Sequence, residues 1–195
     1  MKQTILVTGG TGFIGSHTSV ELIEAGYNVV IIDNLSNSKM EVVDGIEKIT
    51  GVRPAFENVD LRDKEATEGV FKKYPGIAGI IHFAASKAVG ESVQKPLLYY
   101  RNNIVSLVNL LELMPKYNVK GIIFSSSCTV YGQPKPENLP VTEDAPHQKA
   151  TSPYGNTKEI NEQIIYDYIH SGANITRRHS SVNCPMAFLP TSFPT

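Results

Sequence analysis

A doubly wound α/β fold with a parallel sheet is what this chain predicts, and three observations predict it. Short apolar runs alternate with longer segments of helical periodicity along most of the sequence. Each run is apolar at successive positions rather than alternate ones, so the sheet they build needs cover on both faces. A cluster of glycines follows the first run directly, where such folds turn from strand to helix. The remaining composition agrees: 195 residues, 41% hydrophobic and 19% charged, are enough for one core and too weakly charged for a disordered chain.

The elements follow in order. Thr4 to Thr8 is a β-branched, apolar strand. Phe13 to Ala25 places Ile14, Thr18, Leu22 and Ala25 at helical spacing, and Gly26 closes it. Val29 to Ile32 is a second strand ending in Asp33. Val42, Val43, Ile46 and Ile49 make a helical face stopped by Gly51. Ala55 to Val59 is a weaker strand ending at Asp60, and Lys64 to Tyr74 a helix carrying Val70, Phe71 and Tyr74. Gly79 to Ala84 is the fourth strand. Leu97 to Tyr117 is a long helix through Ile104, Leu107, Val108, Leu111 and Met114. Gly121 to Phe124 is the fifth strand, running into Ser125, Ser126 and Ser127. Gln133 to Ala150 reads as a surface loop, and Ser152-Pro153 opens a helix to about His170. Right-handed crossovers then wind the chain about both faces, with ligands expected at the carboxyl ends of the strands.

Several function classes fall away. A net charge of −1 leaves no basic field for nucleic acid or anionic lipid, so neither is expected as a partner. No run approaches the roughly 18 apolar residues of a membrane span. The start, Met1 to Thr4 leading straight into Ile5, has no secretory pattern, and a cytoplasmic protein is expected. Two cysteines, Cys128 and Cys184, cannot build a disulfide framework or a four-ligand zinc site, and no metal is expected.

Gly9, Gly12 and Gly15 stand between the first strand and the first helix, where free N–H groups and the positive end of the helix dipole suit a pyrophosphate. A glycine there also keeps a Cβ out of the phosphates' way. The spacing alone is weak; strand before, helix after and an acid ending the second strand strengthen it. Asp33 can accept hydrogen bonds from an adenosine ribose and would repel a 2′-phosphate, which favours NAD over NADP. The plain alternatives are a tight βα turn without ligand and an ordinary strand-end aspartate. Asp60 could similarly reach the adenine.

Tyr154 and Lys158 are four apart, on one helix face. A lysine cation beside a phenol favours phenolate, and such a tyrosine can take a proton from a sugar hydroxyl while hydride leaves to NAD. The Ser125–Ser127 strand end supplies a hydroxyl to share that hydrogen bond. His82, within a strand, reads as a buried, hydrogen-bonded histidine rather than a catalyst. Cys128 reads as a small buried residue rather than a nucleophile.

The stretches VTGGTGFIGSHT (7–18), IIDNLSNS (31–38), IHFAASKAVGES (81–92), FSSSCTVYGQP (124–134) and SPYGNTK (152–158) resemble the extended short-chain dehydrogenase/reductase family, in its NAD-dependent epimerase branch. The likeness runs over residues 1–176. It implies that Phe13 and Ile14 lie on the pyrophosphate, and that Asp33, Asn34, Leu35, Ser36, Asn37 and Ser38 hold the adenosine half. Asp60 and Leu61 would flank the adenine. Phe83, Ala84, Ala85, Ser86, Lys87 and Asn102 would line the cofactor, with Ala85-Ser86 in place of the more usual Gly-Leu. Ser127, Tyr154 and Lys158 match the family's catalytic serine, tyrosine and lysine, which also touch NAD. Such epimerases interconvert UDP-glucose and UDP-galactose by transient oxidation at sugar C4, keep NAD tightly bound, and pair as homodimers through the long helix and the Tyr-Lys helix. Sugar dehydratases of the same family carry an Asp-Glu pair where this chain has Cys128 and Thr129, which disfavours water elimination here.

After Thr176 the likeness stops. Residues 177–195 have no clear period, and back-translation admits a second reading frame resembling the family's downstream segment. The expectation is an NAD-binding domain over 1–176 and a frameshifted tail over 177–195, without the region that binds the UDP-sugar and therefore inactive. A non-catalytic NAD-binding or interaction protein derived from the epimerase is the alternative.

Overall fold

The computed structural model describes residues 2–142, 145–146 and 148–171. The expected boundary at 176 and the tail beyond it lie outside these residues. The chain forms β1 (Thr4–Thr8), α1 (Phe13–Glu24), β2 (Asn28–Asp33), α2 (Glu41–Thr50), β3 (Ala55–Asn58), α3 (Lys64–Lys73), β4 (Ile77–His82), α4 (Val89–Gln94), α5 (Pro96–Lys116), β5 (Gly121–Phe124) and α6 (Pro153–His170). The strands make one parallel sheet in the order β3-β2-β1-β4-β5. Connections change direction between β1 and β4, so a crevice opens at their carboxyl ends.

The continuous apolar runs divide between two cores by residue parity, because successive side chains of a strand point to opposite faces. Leu6, Val30, Ile32, Ile80, Ile122 and Phe124 join the core beneath α3, α5 and α6. Ile5, Val7, Val29, Ile31 and Ile81 join the core beneath α1 and α2, with Leu22, Ile23 and Ile46. The sheet is thus sandwiched, as its sequence requires. No described helix is long and apolar enough to cross a membrane.

Boundaries and faces differ from expectation in places. The fourth strand begins at Ile77, which pairs with Thr4 and is buried, and ends at His82 opposite Thr8. Phe83 and Ala84 run on past it, their N–H groups donating to the Thr8 carbonyl (3.1 Å) and hydroxyl (3.3 Å). α4 was not expected at all; its only fully buried residue is Ser92, so no apolar period marks it. In α2, Val43 and Ile46 are buried but Ile49 is 67% exposed, because the buried stripe ends a turn before the helix does. The loop 133–150 contains a 3₁₀ turn, Pro136–Asn138.

Candidate active site

The turn between β1 and α1 owes its glycines to the protein's own packing more than to a ligand. Gly9 has φ +68°, and a Cβ on it would stand 2.7 Å from the Ala84 nitrogen. A Cβ on Gly10 would strike the Ile31 side chain at 2.6 Å. One on Gly15 would overlap the Gly9 carbonyl oxygen and stand 2.8 Å from Gly10 Cα. Gly12 is different: its only neighbour would be the Gly9 oxygen at 3.2 Å. It is the N-cap of α1, with no side-chain cap and no acidic residue in the first turn, so the orphan N–H groups there are free to meet an anion. Phe13 and Ile14, the first two residues of α1, are exposed at this end. Gly9 and Gly15 are needed first to clear the backbone and Gly10, which the sequence reading passed over, to clear β2; at Gly12 the protein's own packing imposes less.

At the end of β2, Asp33 organises two loops. Its Oδ1 accepts from the Leu35 N–H (2.9 Å) and the Ser38 hydroxyl (3.2 Å), and its Oδ2 from the Thr11 N–H at 3.3 Å. Thr11 and Ser38 share a hydroxyl hydrogen bond of 2.7 Å, so the glycine turn and the 34–38 loop are tied together at this carboxylate. Asn34 caps its own loop by accepting from the Ser36 N–H and donates to Asp60 at 3.4 Å. Ser36 and Asn37 complete the loop. Asp60 is held by Arg62 through both oxygens (2.6 to 3.1 Å), and that hydrogen bonding pulls its carboxyl down to about 2. The Leu61 side chain is buried in the core, and its carbonyl accepts from the Asn109 amide at 2.8 Å.

Three side chains converge at the end of β5. Lys158 is 3% exposed; its ammonium donates to the Ser125 carbonyl at 2.6 Å and lies 6.0 Å from the Tyr154 ring centre. Burial lowers it to about 8, with Glu162 opposing. Burial also raises the Tyr154 phenol above its ordinary value, and a hydrogen bond from Ser127 pulls the other way. The expected phenolate bias is therefore absent in the chain by itself: removing the phenol from water outweighs a lysine whose proton is directed at a carbonyl. The Ser127 hydroxyl accepts from the Thr129 N–H (3.3 Å) and hydroxyl (2.9 Å), which fixes it three residues beyond the strand end. Cys128, expected to be buried, is exposed beside these groups, because it opens a 3₁₀ turn rather than extending the strand. His82 is 1% exposed and hydrogen-bonded to Thr8, as expected, and burial lowers it to about 3.

Asn103 is the polar centre that the sequence reading missed. It is 1% exposed, accepts from the Ser86 N–H at 2.8 Å, and donates to the Ser86 carbonyl and to Thr157, both at 3.0 Å. Its own carbonyl accepts from Asn161 at 2.9 Å. One side chain thus fastens the Phe83–Lys87 segment and α6 to α5, with Asn102 adding a 2.9 Å hydrogen bond to the Ser86 hydroxyl. Phe83, Ala84, Ala85 and Ser86 are half-buried along the crevice and Lys87 is exposed. An asparagine at an inward position of a long helix was the available signal. Among the described residues no group of three or more His, Cys, Asp or Glu is placed to hold a metal ion.

A family profile described as GDP-mannose 4,6 dehydratase matches residues 6–185. A UDP-glucose 4-epimerase of Schizosaccharomyces pombe is 55% identical over 168 residues, covering 85% of this chain and 47% of that protein. The human UDP-glucose 4-epimerase is 48% identical over 173 residues, covering 86% and 49%. Among solved structures, UDP-glucose 4-epimerase from Bifidobacterium longum in complex with NAD+ and UDP matches with a TM-score of 0.83 and 48% identity, covering 88% of this chain and 50% of its own. The chain spans about half the length of the curated relatives it matches.

Proposed function

The chain belongs to the GDP-mannose 4,6-dehydratase family of extended short-chain dehydrogenases/reductases, on the side of its UDP-glucose 4-epimerases, and from that premise we propose that it binds NAD and carries the proton-transfer half of a sugar C4 epimerase. One observation carries this reading: Ser127, Tyr154 and Lys158 meet at the end of β5, on the same edge as the open helix terminus at Gly12 and the carboxylate of Asp33. The residues fit the cofactor. The α1 terminus accommodates a pyrophosphate, Asp33 a ribose diol, and the 83–87 segment with Asn102 the nicotinamide half.

NAD, when bound, supplies the hydride acceptor. Tyr154 takes the proton of the sugar's C4 hydroxyl, and Ser127 shares that hydrogen bond and holds the oxygen. Lys158 places a cation beside the phenol, which works against the burial that raises the phenol in the chain by itself, and Asn103 keeps α6 in register with the cofactor segment. Return of the hydride to the other face of the turned keto sugar, with the reverse proton transfer from Tyr154, gives the epimer with no net redox change. The family profile's dehydratase description fits less well, because Cys128 and Thr129 offer no acid–base pair for loss of water.

The matched relatives are about twice this length. For the 195 residues by themselves we propose NAD binding with negligible turnover of UDP-galactose, which also describes a non-catalytic NAD-binding protein. Positioning contributes about 7–11 kcal/mol to a barrier, more than the roughly 10²–10⁴-fold from one proton-transfer group. A homodimer through α5 and α6 accounts for Leu97 (80% exposed) and Tyr166 (44%). Calorimetric titration tests the cofactor assignment: NAD binds at least about tenfold more tightly than NADP, and equal affinities sink the role of Asp33. Epimerisation by this polypeptide alone at the rate of a full-length relative sinks the division of labour, and a monomer in sedimentation at high concentration sinks the dimer.

A further inference from the structure

Lys158 is a buried cation in unusual company. Among the described residues no carboxylate lies within ion-pair distance of its ammonium, and its one hydrogen bond goes to the Ser125 carbonyl at 2.6 Å. Two rings also meet the charge: the centre of Phe124 is 4.7 Å from Nζ, and that of Tyr154 lies farther off at 6.0 Å. The negative face of an aromatic ring attracts a cation, and more strongly where water is excluded. The Phe124 ring is in turn stacked on the His82 imidazole, with centroids 5.9 Å apart and planes 28° from parallel.

The protonation of that imidazole can be worked out. Thr8 is wholly buried, and its hydroxyl oxygen already receives the Ala84 N–H at 3.3 Å. Its hydroxyl hydrogen needs an acceptor, and His82 Nδ1 stands 2.7 Å away. His82 is therefore a neutral imidazole protonated at Nε2. A cation there would repel the ammonium; a neutral ring leaves Phe124 free to face it. The other titratable groups around Lys158 are Tyr154 and Glu162 on α6, Cys128 after β5, and Tyr99 on α5, which feels Tyr154.

We propose that Phe124 and His82 are positioning residues for Lys158: the Phe124 ring face seats the ammonium beside Tyr154, and a permanently neutral His82 backs that ring. The inference rests on the reading of Lys158 as the proton-transfer lysine, but the seat itself is a property of the chain without ligand. It assigns to the last residues of β4 and β5 a task that neither strand pairing nor core packing requires.

The experiment is a ¹³C NMR titration of the reductively dimethylated chain, with the Lys158 signal identified by its loss in Lys158→Arg. In Phe124→Leu, which keeps apolar volume but removes the ring face, the Lys158 midpoint falls by about one pH unit. In Phe124→Tyr, which keeps the face, it stays where it was. Fluorinated phenylalanines at 124 keep the shape, fold like the parent, and lower the midpoint step by step as fluorine drains the ring. A space-filling role predicts no movement of the midpoint in any of these. A midpoint unmoved by fluorination overturns the proposal, whatever the fate of Phe124→Leu. The ¹⁵N spectrum of His82 shows an unprotonated Nδ1 from pH 9 to pH 5, and a His82 that titrates near its ordinary value overturns that part. NAD affinity of the same samples reports on the function separately: failure of the unsubstituted chain to bind NAD removes the proposed function and leaves the seat of Lys158 to stand or fall on the titration.

Discussion

Replacing Gly15 with alanine separates packing from ligand binding in the glycine turn. The new Cβ would overlap the Gly9 carbonyl and lie 2.8 Å from Gly10 Cα. Both are backbone, so no rotamer change relieves the clash and α1 must move off the turn. Overpacking costs about 1–3 kcal/mol, and a backbone clash belongs at the upper end, about 3. Alanine returns about 1 kcal/mol through its better helix propensity. The net loss is about 2 kcal/mol, or roughly 4–8 °C in melting temperature for a chain of this size. Gly12→Ala is the control, since its Cβ would meet only the Gly9 oxygen at 3.2 Å. It should cost less than about 1 kcal/mol in urea denaturation, well below Gly15→Ala, while weakening NAD binding about tenfold, equivalent to about 1.4 kcal/mol. Chemical denaturation with matched m-values, alongside NAD titration of both variants, decides the matter. Equal midpoints for Gly15→Ala and the parent would refute the packing argument. Unchanged NAD affinity in Gly12→Ala would refute the assignment of the α1 terminus.

Asn103→Ala leaves the Ser86 N–H and carbonyl without their buried partner and Thr157 with only its hydrogen bond to the Tyr154 carbonyl, and a loss of about 2–4 kcal/mol is expected in urea denaturation. Lys158→Met should stabilise the chain at pH 7 by about 2 kcal/mol, since the folded lysine sits at about 8, below its unfolded value. The sign follows from proton counts: between about pH 8 and about 10.4 the unfolded chain holds more protons, so stability of the parent rises with pH there, and the methionine variant lacks that rise. Arg62→Ala removes the partner that holds Asp60 at about 2; with side chains 39% and 31% exposed, the loss is about 1 kcal/mol at pH 7 after solvent screening. Asp60's contribution is present above about pH 4 and disappears as pH falls through about 2, so the two denaturation curves should converge there.

What the sequence determined by itself is whatever a local period or a local end signal carries. Five parallel strands, the alternation with helices, and the site at the strand ends are all legible in runs such as Val29–Ile32 and in the glycines and acids that close them. That a serine of the Ser125–Ser127 strand end joins Tyr154 and Lys158 was legible in the sequence; the choice of Ser127 among the three came only through the family likeness. Tertiary structure alone decided the rest. β4 starts at Ile77 because Thr4 pairs with it, and pairing is not written in either segment. α4 lacks an apolar period because it is held by its neighbours. The Tyr154 phenol moves up, not down, because desolvation depends on what surrounds a group in space. Gly9 and Gly15 are required by atoms of Ala84, Gly9 and Gly10 that approach only once the turn closes over β4. Asn103 and Phe124 came into view by the same route: each meets a partner tens of positions away, and only the folded chain brings Thr157 and Lys158 to them.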